Sequence, residues 1–90
     1  MTYRFKTTPT FRKALRGLTA VQKASARQVF GLFRDNPFDP RLRTHKIHSL
    51  SAQFGRTIYS VWVEADLRAV FYLDGDLVVS VDIGPHAIYR

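Results

Sequence analysis

The chain has 90 residues, 46% of them hydrophobic, and carries no cysteine. This length predicts one domain over residues 1–90, and the composition argues against disorder. Without cysteine, disulfides and thiolate metal sites are excluded. The first residues contain no apolar signal-peptide core, and no apolar run approaches the roughly 20 residues of a membrane span, so we expect a cytoplasmic protein without membrane contact.

The charge is strongly segregated along the chain. Residues 1–56 hold twelve of the fourteen basic residues and two of the seven acidic ones, a net of +10, whereas residues 57–90 have a net of −3. A small domain with this excess attracts polyanions through counterion release. The alternative is that the charge serves solubility alone.

The first 35 residues predict a short strand and a helical hairpin. Alternation in TYRFKT is typical of a half-buried strand, and Pro9 suits the first turn of a helix. A second helix is predicted to begin at Thr19, with Gln22 completing a capping box, and to stop at Asn36-Pro37. The exposed cations of these helices are either solvated or contact a polyanionic partner.

The following stretch, DNPFDPRLRTHKIHSLSAQFGRT, is predicted to be irregular and is the densest basic segment. Three strands follow it, over Thr57–Val63, Leu67–Leu73 and Leu77–Ile83, with Asp74-Gly75-Asp76 as a hairpin turn. The sequence therefore predicts an α+β fold, β-α-α-β-β-β, with an antiparallel sheet and the two-helix hairpin on one face.

The last strand is predicted to turn its odd-numbered residues, from Leu77 to Ile83, toward the helices, and to stop at Gly84-Pro85. Arg68 interrupts an apolar strand, and burying it without a partner is costly. It should therefore point to the face that the helices leave open, either solvated or paired with Asp66 or Asp82.

Several titratable residues fall near the three strands, and none belongs to a phosphate-binding loop, a nucleophile elbow or a zinc motif, so we expect no cofactor and no metal. RNA cleavage through the 2′-hydroxyl needs a base, an acid and cations that stabilise the phosphorane-like charge, and histidine suits both proton transfers. Aromatic rings can stack an unpaired base. The residues near the three strands that could fill these roles are His45, His48, Asp66, Arg68, His86 and Tyr89.

The segments NPFDPRLRTHKIHSL, GRTIYSVWVEADLRAVFYL and VVSVDIGPHAIYR, in this order after two helices, resemble the RelE/ParE toxins of bacterial type II toxin–antitoxin systems. The resemblance covers essentially the whole chain. It implies a cognate antitoxin as partner in a hetero-oligomer. Two activities occur in the family, ribosome-dependent mRNA cleavage in the A site and non-enzymatic inhibition of DNA gyrase. An inactive basic RNA-binding relative is the third alternative.

Matching the sequence to the RelE and YafQ-type branch assigns roles to individual residues. Arg68 matches the phosphate-binding arginine, and His86 and Tyr89 match C-terminal catalytic positions. His48 and Asp66 match a loop histidine and a turn aspartate of the YafQ type, whereas Trp62 replaces a histidine and Ala87 stands where many relatives have aspartate. The implied catalytic set is His86, His48, Asp66, Arg68 and Tyr89, and the implied RNA-binding set is Arg41, Arg43, Lys46, Arg56, Trp62 and Arg90.

Overall fold

The computed structural model describes residues 2–85, which form an α+β fold of three helices and a five-stranded sheet. The predicted order of strand, helical hairpin and three consecutive strands is confirmed. The elements are β1 (Arg4–Thr7), α1 (Pro9–Arg16), α2 (Ala20–Asp35), a 3-10 helix (Pro40–Leu42), β2 (His45–Lys46), α3 (His48–Phe54), β3 (Ile58–Glu64), β4 (Leu67–Asp74) and β5 (Leu77–Pro85).

The sheet has the strand order β1-β5-β4-β3-β2. Strands β3 to β5 form the predicted antiparallel meander, and β2, which was not predicted, pairs antiparallel with β3. The first strand, β1, pairs parallel to β5, so the sheet is mixed. The α1–α2 hairpin and the strands after it bring β5 back beside β1. An ion pair at 2.8 Å between Arg4 and Asp76 fixes the start of β1 to the β4–β5 turn.

The helical hairpin forms as predicted, and both of its helices are capped at their N-termini. The Thr8 hydroxyl accepts a hydrogen bond from the Phe11 amide at the start of α1. Thr19 and Gln22 form the reciprocal capping box of α2. The α2 helix ends at Asp35, before the Asn36-Pro37 pair.

The main core lies between this hairpin and the sheet, and aromatic rings dominate it. The ring of Phe71, which is 1% exposed, packs edge-on against Phe33 at 5.0 Å. It stacks on Tyr59 at 5.2 Å between centroids. The alternate strand residues Val61, Val63, Leu67 and Ala69 extend this core along β3 and β4.

The region predicted to be irregular contains more structure than expected. After the 3-10 helix, β2 adds an edge strand and α3 packs on the second face of the sheet. The apolar residues Ile47 and Leu50 contact Ile58, Val70 and neighbouring residues there, so a second, smaller core forms. The α3 helix ends at Gly55, whose φ of 68° gives the left-handed conformation that favours glycine.

A β-bulge in β5 corrects the predicted orientation of that strand. Val70 lies opposite Asp82, whereas Phe71 lies opposite Ser80, so Val81 is the extra residue. The prediction is right for Ile83, which packs in the core below the hairpin. It is wrong for Val79, which lies opposite Tyr72, and for Val81, which packs in the α3 core. The alternation of apolar residues in a sequence does not reveal where a bulge inserts an extra residue into a strand.

The predicted stop at Gly84-Pro85 is also wrong. β5 continues through both residues, with Gly84 opposite Arg68 and Pro85 opposite Leu67. Proline is tolerated there because β1 pairs with β5 only as far as Ser80, so β5 is an edge strand at Pro85. None of the helices within residues 2–85 has the length and apolar character needed to cross a membrane.

Candidate nucleic-acid interface

The candidate site is built on the tight turn between β3 and β4. Ala65 and Asp66 form this turn, and Ala65 has a φ of 42°. The register shifts between Trp62 and Glu64, so this end of the hairpin is irregular. Trp62 and Arg68 lie directly opposite each other just before the turn. Their side chains therefore leave the sheet on the same face, close together.

The position of Arg68 is the one predicted from the sequence. Its neighbours Leu67 and Ala69 are buried in the hairpin-side core, so Arg68 points to the opposite face, where it is half-buried. Its Nη1 donates to the Ala65 carbonyl at 3.0 Å and makes a longer contact of 3.5 Å with the Leu67 carbonyl. These contacts fix the guanidinium against the turn.

Arg68 keeps its positive charge without a counter-ion in the described part of the chain. The ion pairs of residues 2–85 join Arg4 to Asp76 and Arg41 to Asp39, and Arg68 takes part in neither. The expected alternative, pairing with Asp66 or Asp82, is therefore not what these residues do. Because guanidinium carries five donors in a planar fork, Nε and Nη2 remain for an anion.

Trp62 adds an aromatic ring beside this cation. Its Nε1 donates to the same Ala65 carbonyl at 3.0 Å. The Arg43 guanidinium carbon lies 4.8 Å from the centroid of the Trp62 ring, within cation–π distance. Arg43 follows the 3-10 helix in a left-handed conformation, with a φ of 52°, and is exposed. The turn thus gathers two cations around one indole.

Asp82 is a further group on this face that the sequence suggested only as a counter-ion. It lies opposite Val70 and diagonal to Arg68, and its Oδ1 accepts from the Ile83 amide at 2.8 Å. The bulge at Val81 lets Ile83 reach the main core while Asp82 lies on the second face of the sheet, part of which α3 covers. A carboxylate diagonal to Arg68 is within reach of a phosphate or ribose bound there.

The other predicted residues of the basic segment are more scattered. His48 is the exposed first residue of α3. Lys46 lies opposite Tyr59, whose ring packs in the hairpin-side core, so Lys46 leaves the sheet edge on the other face from Arg68. His45 lies opposite Ser60, on the Arg68 side, and its Nδ1 is 2.9 Å from the Arg43 carbonyl.

Two arginines of the expected RNA-binding set already contact other side chains of this protein. Arg41 forms a two-pronged contact with the Asp39 carboxylate, at 3.0 and 2.9 Å, and its guanidinium lowers the Asp39 pKa to about 2. Arg56 lies 4.2 Å from the Tyr72 ring centroid. Tyr72 lies opposite Ile58, which is four residues from Trp62 along β3. This spacing puts Tyr72, and the Arg56 guanidinium beside it, about 13 Å along the sheet from Trp62.

Three predicted residues, His86, Tyr89 and Arg90, lie outside the described residues. The strand that leads to them passes the site, because Gly84 is opposite Arg68. Within residues 2–85, no three His, Asp or Glu side chains are grouped as metal ligands would be.

Comparison with solved structures assigns the fold. The chain superposes on the archaeal RelE–RelB complex from Pyrococcus horikoshii with a TM-score of 0.72 and 18% identity, covering 94% of this chain and 96% of the other. It matches YafQ from Escherichia coli with a TM-score of 0.71 and 17% identity, covering 97% of each chain.

A third neighbour is the RelBE2 toxin–antitoxin complex from Mycobacterium tuberculosis, with a TM-score of 0.72 and 18% identity, covering 96% of this chain and 100% of the other. No protein-family model and no curated protein sequence matches the chain significantly. The fold of this chain is thus the one shared by the RelE and YafQ structures, as the sequence resemblance implied.

Proposed function

We propose that this protein is the toxin of a type II toxin–antitoxin pair and cleaves mRNA on the ribosome. The observation that carries the proposal is the site at the β3–β4 turn. There, an arginine without a counter-ion in residues 2–85 and a tryptophan donate to one carbonyl, with a second arginine over the indole. A cation beside an aromatic ring suits the phosphate and base of an unpaired nucleotide.

In the proposed reaction, the ribose 2′-oxygen attacks the adjacent phosphorus and the 5′-oxygen of the next nucleotide leaves. A base takes the 2′-hydroxyl proton and an acid protonates the leaving oxygen, which yields a 2′,3′-cyclic phosphate and a 5′-hydroxyl. Arg68, helped by Arg43, would stabilise the charge that develops on the phosphate oxygens, whereas Lys46 leaves the sheet on the other face and takes no part in this.

The proton transfers are assigned to the residues that the family resemblance suggests for them. His86 would act as one member of the acid–base pair, and His48 or Asp66 as the other. Asp66 follows Ala65 in the turn, so it is near the arginine by sequence alone. Asp82 is a further candidate base because it shares the second face of the sheet with Arg68. Tyr89, and with it Trp62, would stack a base of the bound RNA.

The partner that we propose is a cognate antitoxin, because two of the neighbours are RelE–RelB and RelBE2 complexes and the YafQ toxin was also solved with DinJ. Ribosomes and mRNA place the proposed activity in the cytoplasm.

The test is primer-extension mapping of an mRNA on programmed ribosomes. The intact chain should cut at the A-site codon, and Arg68→Ala should lower the rate by about 10²-fold, the loss typical of one transition-state donor. His86→Ala should lower it as well. Arg4→Gln is the matched control, because Arg4 lies on β1 and is paired with Asp76. Undiminished cleavage by both site variants would overturn the assignment, and gyrase inhibition without RNA cleavage would replace it.

A further inference from the structure

The reaction proposed above leaves one histidine on the Arg68 side of the sheet without a role. His45 is the first residue of the edge strand β2 and lies directly opposite Ser60 on β3. Ser60 and Trp62 are two residues apart on β3, so their side chains leave the same face of the sheet. His45 is therefore a diagonal neighbour of Trp62 on that face, at the separation of roughly 7–8 Å that aromatic and long side chains can bridge.

A hydrogen bond fixes the tautomer of the His45 ring. Its Nδ1 is 2.9 Å from the carbonyl oxygen of Arg43. A carbonyl oxygen only accepts hydrogen bonds, so Nδ1 carries the proton. In the neutral imidazole the lone pair is then on Nε2, the ring nitrogen farther from the backbone. His45 is exposed, so an incoming ligand can reach this nitrogen.

The same hydrogen bond connects His45 to the candidate site through Arg43. Arg43 has a φ of 52°, a left-handed conformation that is uncommon for residues other than glycine. Residues held in such conformations cluster at functional sites. The Arg43 carbonyl accepts from His45, while its guanidinium carbon lies 4.8 Å from the Trp62 ring centroid. One residue thus contacts both rings, the imidazole at its backbone and the indole at its side chain.

The other candidates for the base are less well placed. His48 and Asp66 are exposed, and neither side chain takes part in the hydrogen bonds around the site within residues 2–85. The Oδ1 of Asp82 is fixed by a backbone amide, but Asp82 lies on β5, two strands from Trp62. A general base must be held within reach of the proton that it removes. His45 is both oriented and on the strand next to the indole.

We propose that His45 is the general base of the cleavage, with Nε2 as the proton acceptor. This inference rests on the proposed function, because it requires cleavage through the 2′-hydroxyl. A nucleotide whose base stacks on Trp62 carries its ribose beside the indole, within reach of His45. Nε2 takes the 2′-hydroxyl proton as the 2′-oxygen bonds to phosphorus and the bond from phosphorus to the 5′-oxygen breaks. The acid assigned above, His86, protonates the leaving oxygen, and the imidazolium afterwards returns its proton to water.

A role of His45 in holding Arg43 alone makes a different prediction. Holding the Arg43 carbonyl requires only the Nδ1 proton, whereas proton abstraction requires the Nε2 lone pair. The two amide residues separate these functions, because the side-chain nitrogen of asparagine can replace Nδ1 and that of glutamine can replace Nε2. His45→Asn therefore keeps the hydrogen bond to Arg43 and removes the base, whereas His45→Gln removes both.

The experiment measures cleavage and binding with the full chain. Primer extension on programmed ribosomes gives the cleavage rate, and fluorescence anisotropy gives the affinity for a single-stranded RNA whose 2′-O-methyl groups prevent cleavage. His45→Asn should lower the rate at least about 10²-fold, the smaller effect typical of a general base, and change the affinity less than about twofold. Arg4→Gln is the control, because Arg4 is paired with Asp76 on the far edge of the sheet. Circular dichroism checks that each variant is folded.

Nuclear magnetic resonance tests the geometry without any cleavage. In protein with isotope-labelled histidine, the neutral His45 ring should carry its proton on Nδ1, and its Nε2 signal should shift when the 2′-O-methyl RNA is added. The spectrum of His45→Asn lacks these signals and so assigns them.

Three results would overturn the inference. Cleavage by His45→Asn at the rate of the intact chain would show that His45 at most holds Arg43. A larger loss in His48→Asn than in His45→Asn would move the base to α3. A proton on Nε2 of the neutral ring would contradict the tautomer. Failure of the proposed function is distinct from each of these, because the intact chain itself would then cut no mRNA on the ribosome.

Discussion

Trp62 and Arg68 face each other across β3 and β4 and donate to one acceptor, the Ala65 carbonyl, each at 3.0 Å. A carbonyl oxygen has two lone pairs, so both hydrogen bonds are satisfied at once. The turn that supplies this oxygen thereby fixes the aromatic ring and the cation of the candidate site relative to each other. The geometry of the site depends on the conformation of one turn residue.

That residue, Ala65, adopts a left-handed conformation with a φ of 42°. Because glycine has no Cβ, Ala65→Gly should relieve strain, partly offset by greater unfolded-state entropy, and raise the free energy of unfolding by about 0.5 kcal/mol. The matched change is Gly75→Ala in the β4–β5 turn, where φ is 62° and space is open. It should lower stability by about 1 kcal/mol. Urea unfolding measures both, and a destabilised Ala65→Gly would contradict the argument.

Thr8 links the start of α1 to the bulge in β5. Its hydroxyl accepts from the Phe11 amide at 3.1 Å and donates to the Val81 carbonyl at 2.8 Å. Thr8→Ala removes a helix cap and leaves the bulge carbonyl without this donor, so it should cost about 2 kcal/mol in unfolding free energy. Thr8→Ser keeps the hydroxyl and should recover most of this. Equal losses in the two variants would show that the methyl group, not the hydroxyl, matters.

Arg41 and Arg43 differ in whether their guanidinium groups are paired with a carboxylate in the described chain. Arg41 is paired with Asp39, whereas Arg43 lies over Trp62 with no acidic partner in the described chain. For binding to a short single-stranded RNA, Arg43→Ala should reduce the slope of log K against log salt by about 0.7, the value for one phosphate contact. Arg41→Ala should reduce it less. Fluorescence anisotropy at several salt concentrations measures the slopes, and equal reductions would contradict the distinction.

The Asp39–Arg41 pair also predicts a pH dependence. The guanidinium lowers the pKa of Asp39 from 3.8 to about 2. A carboxyl group with a lowered pKa stabilises the folded state above its unfolded pKa and loses this effect as the pH falls through its folded pKa. The difference in melting temperature between the intact chain and Asp39→Asn should therefore shrink between about pH 4 and about pH 2.

High salt provides the control for this experiment. The pair is exposed, so salt should screen the attraction and reduce the difference at neutral pH. A difference that stays constant over the acidic range and in high salt would show that the hydrogen bond from the Arg41 amide to Asp39, rather than the charge, is what the substitution removes.

Much of this architecture follows from local sequence. The capping residues Thr8, Thr19 and Gln22 specify where the two main helices begin, because their side chains satisfy amides that no helix residue can. The Gly75 turn specifies a hairpin because glycine accepts a positive φ. The orientation of Arg68 followed from the cost of burying an unpaired charge in an apolar strand.

Only the tertiary structure decided the remaining features. The α3 helix is short, and its apolar residues are stable against the second face of the sheet rather than by helix propensity. The bulge at Val81 depends on pairing with β4 and on the Thr8 hydroxyl, residues distant in sequence. The sequence by itself determined only that Arg68 points to the face of the sheet away from the helical hairpin. The convergence of Trp62, Arg43 and Arg68 on one turn required the strand register, which local patterns do not encode.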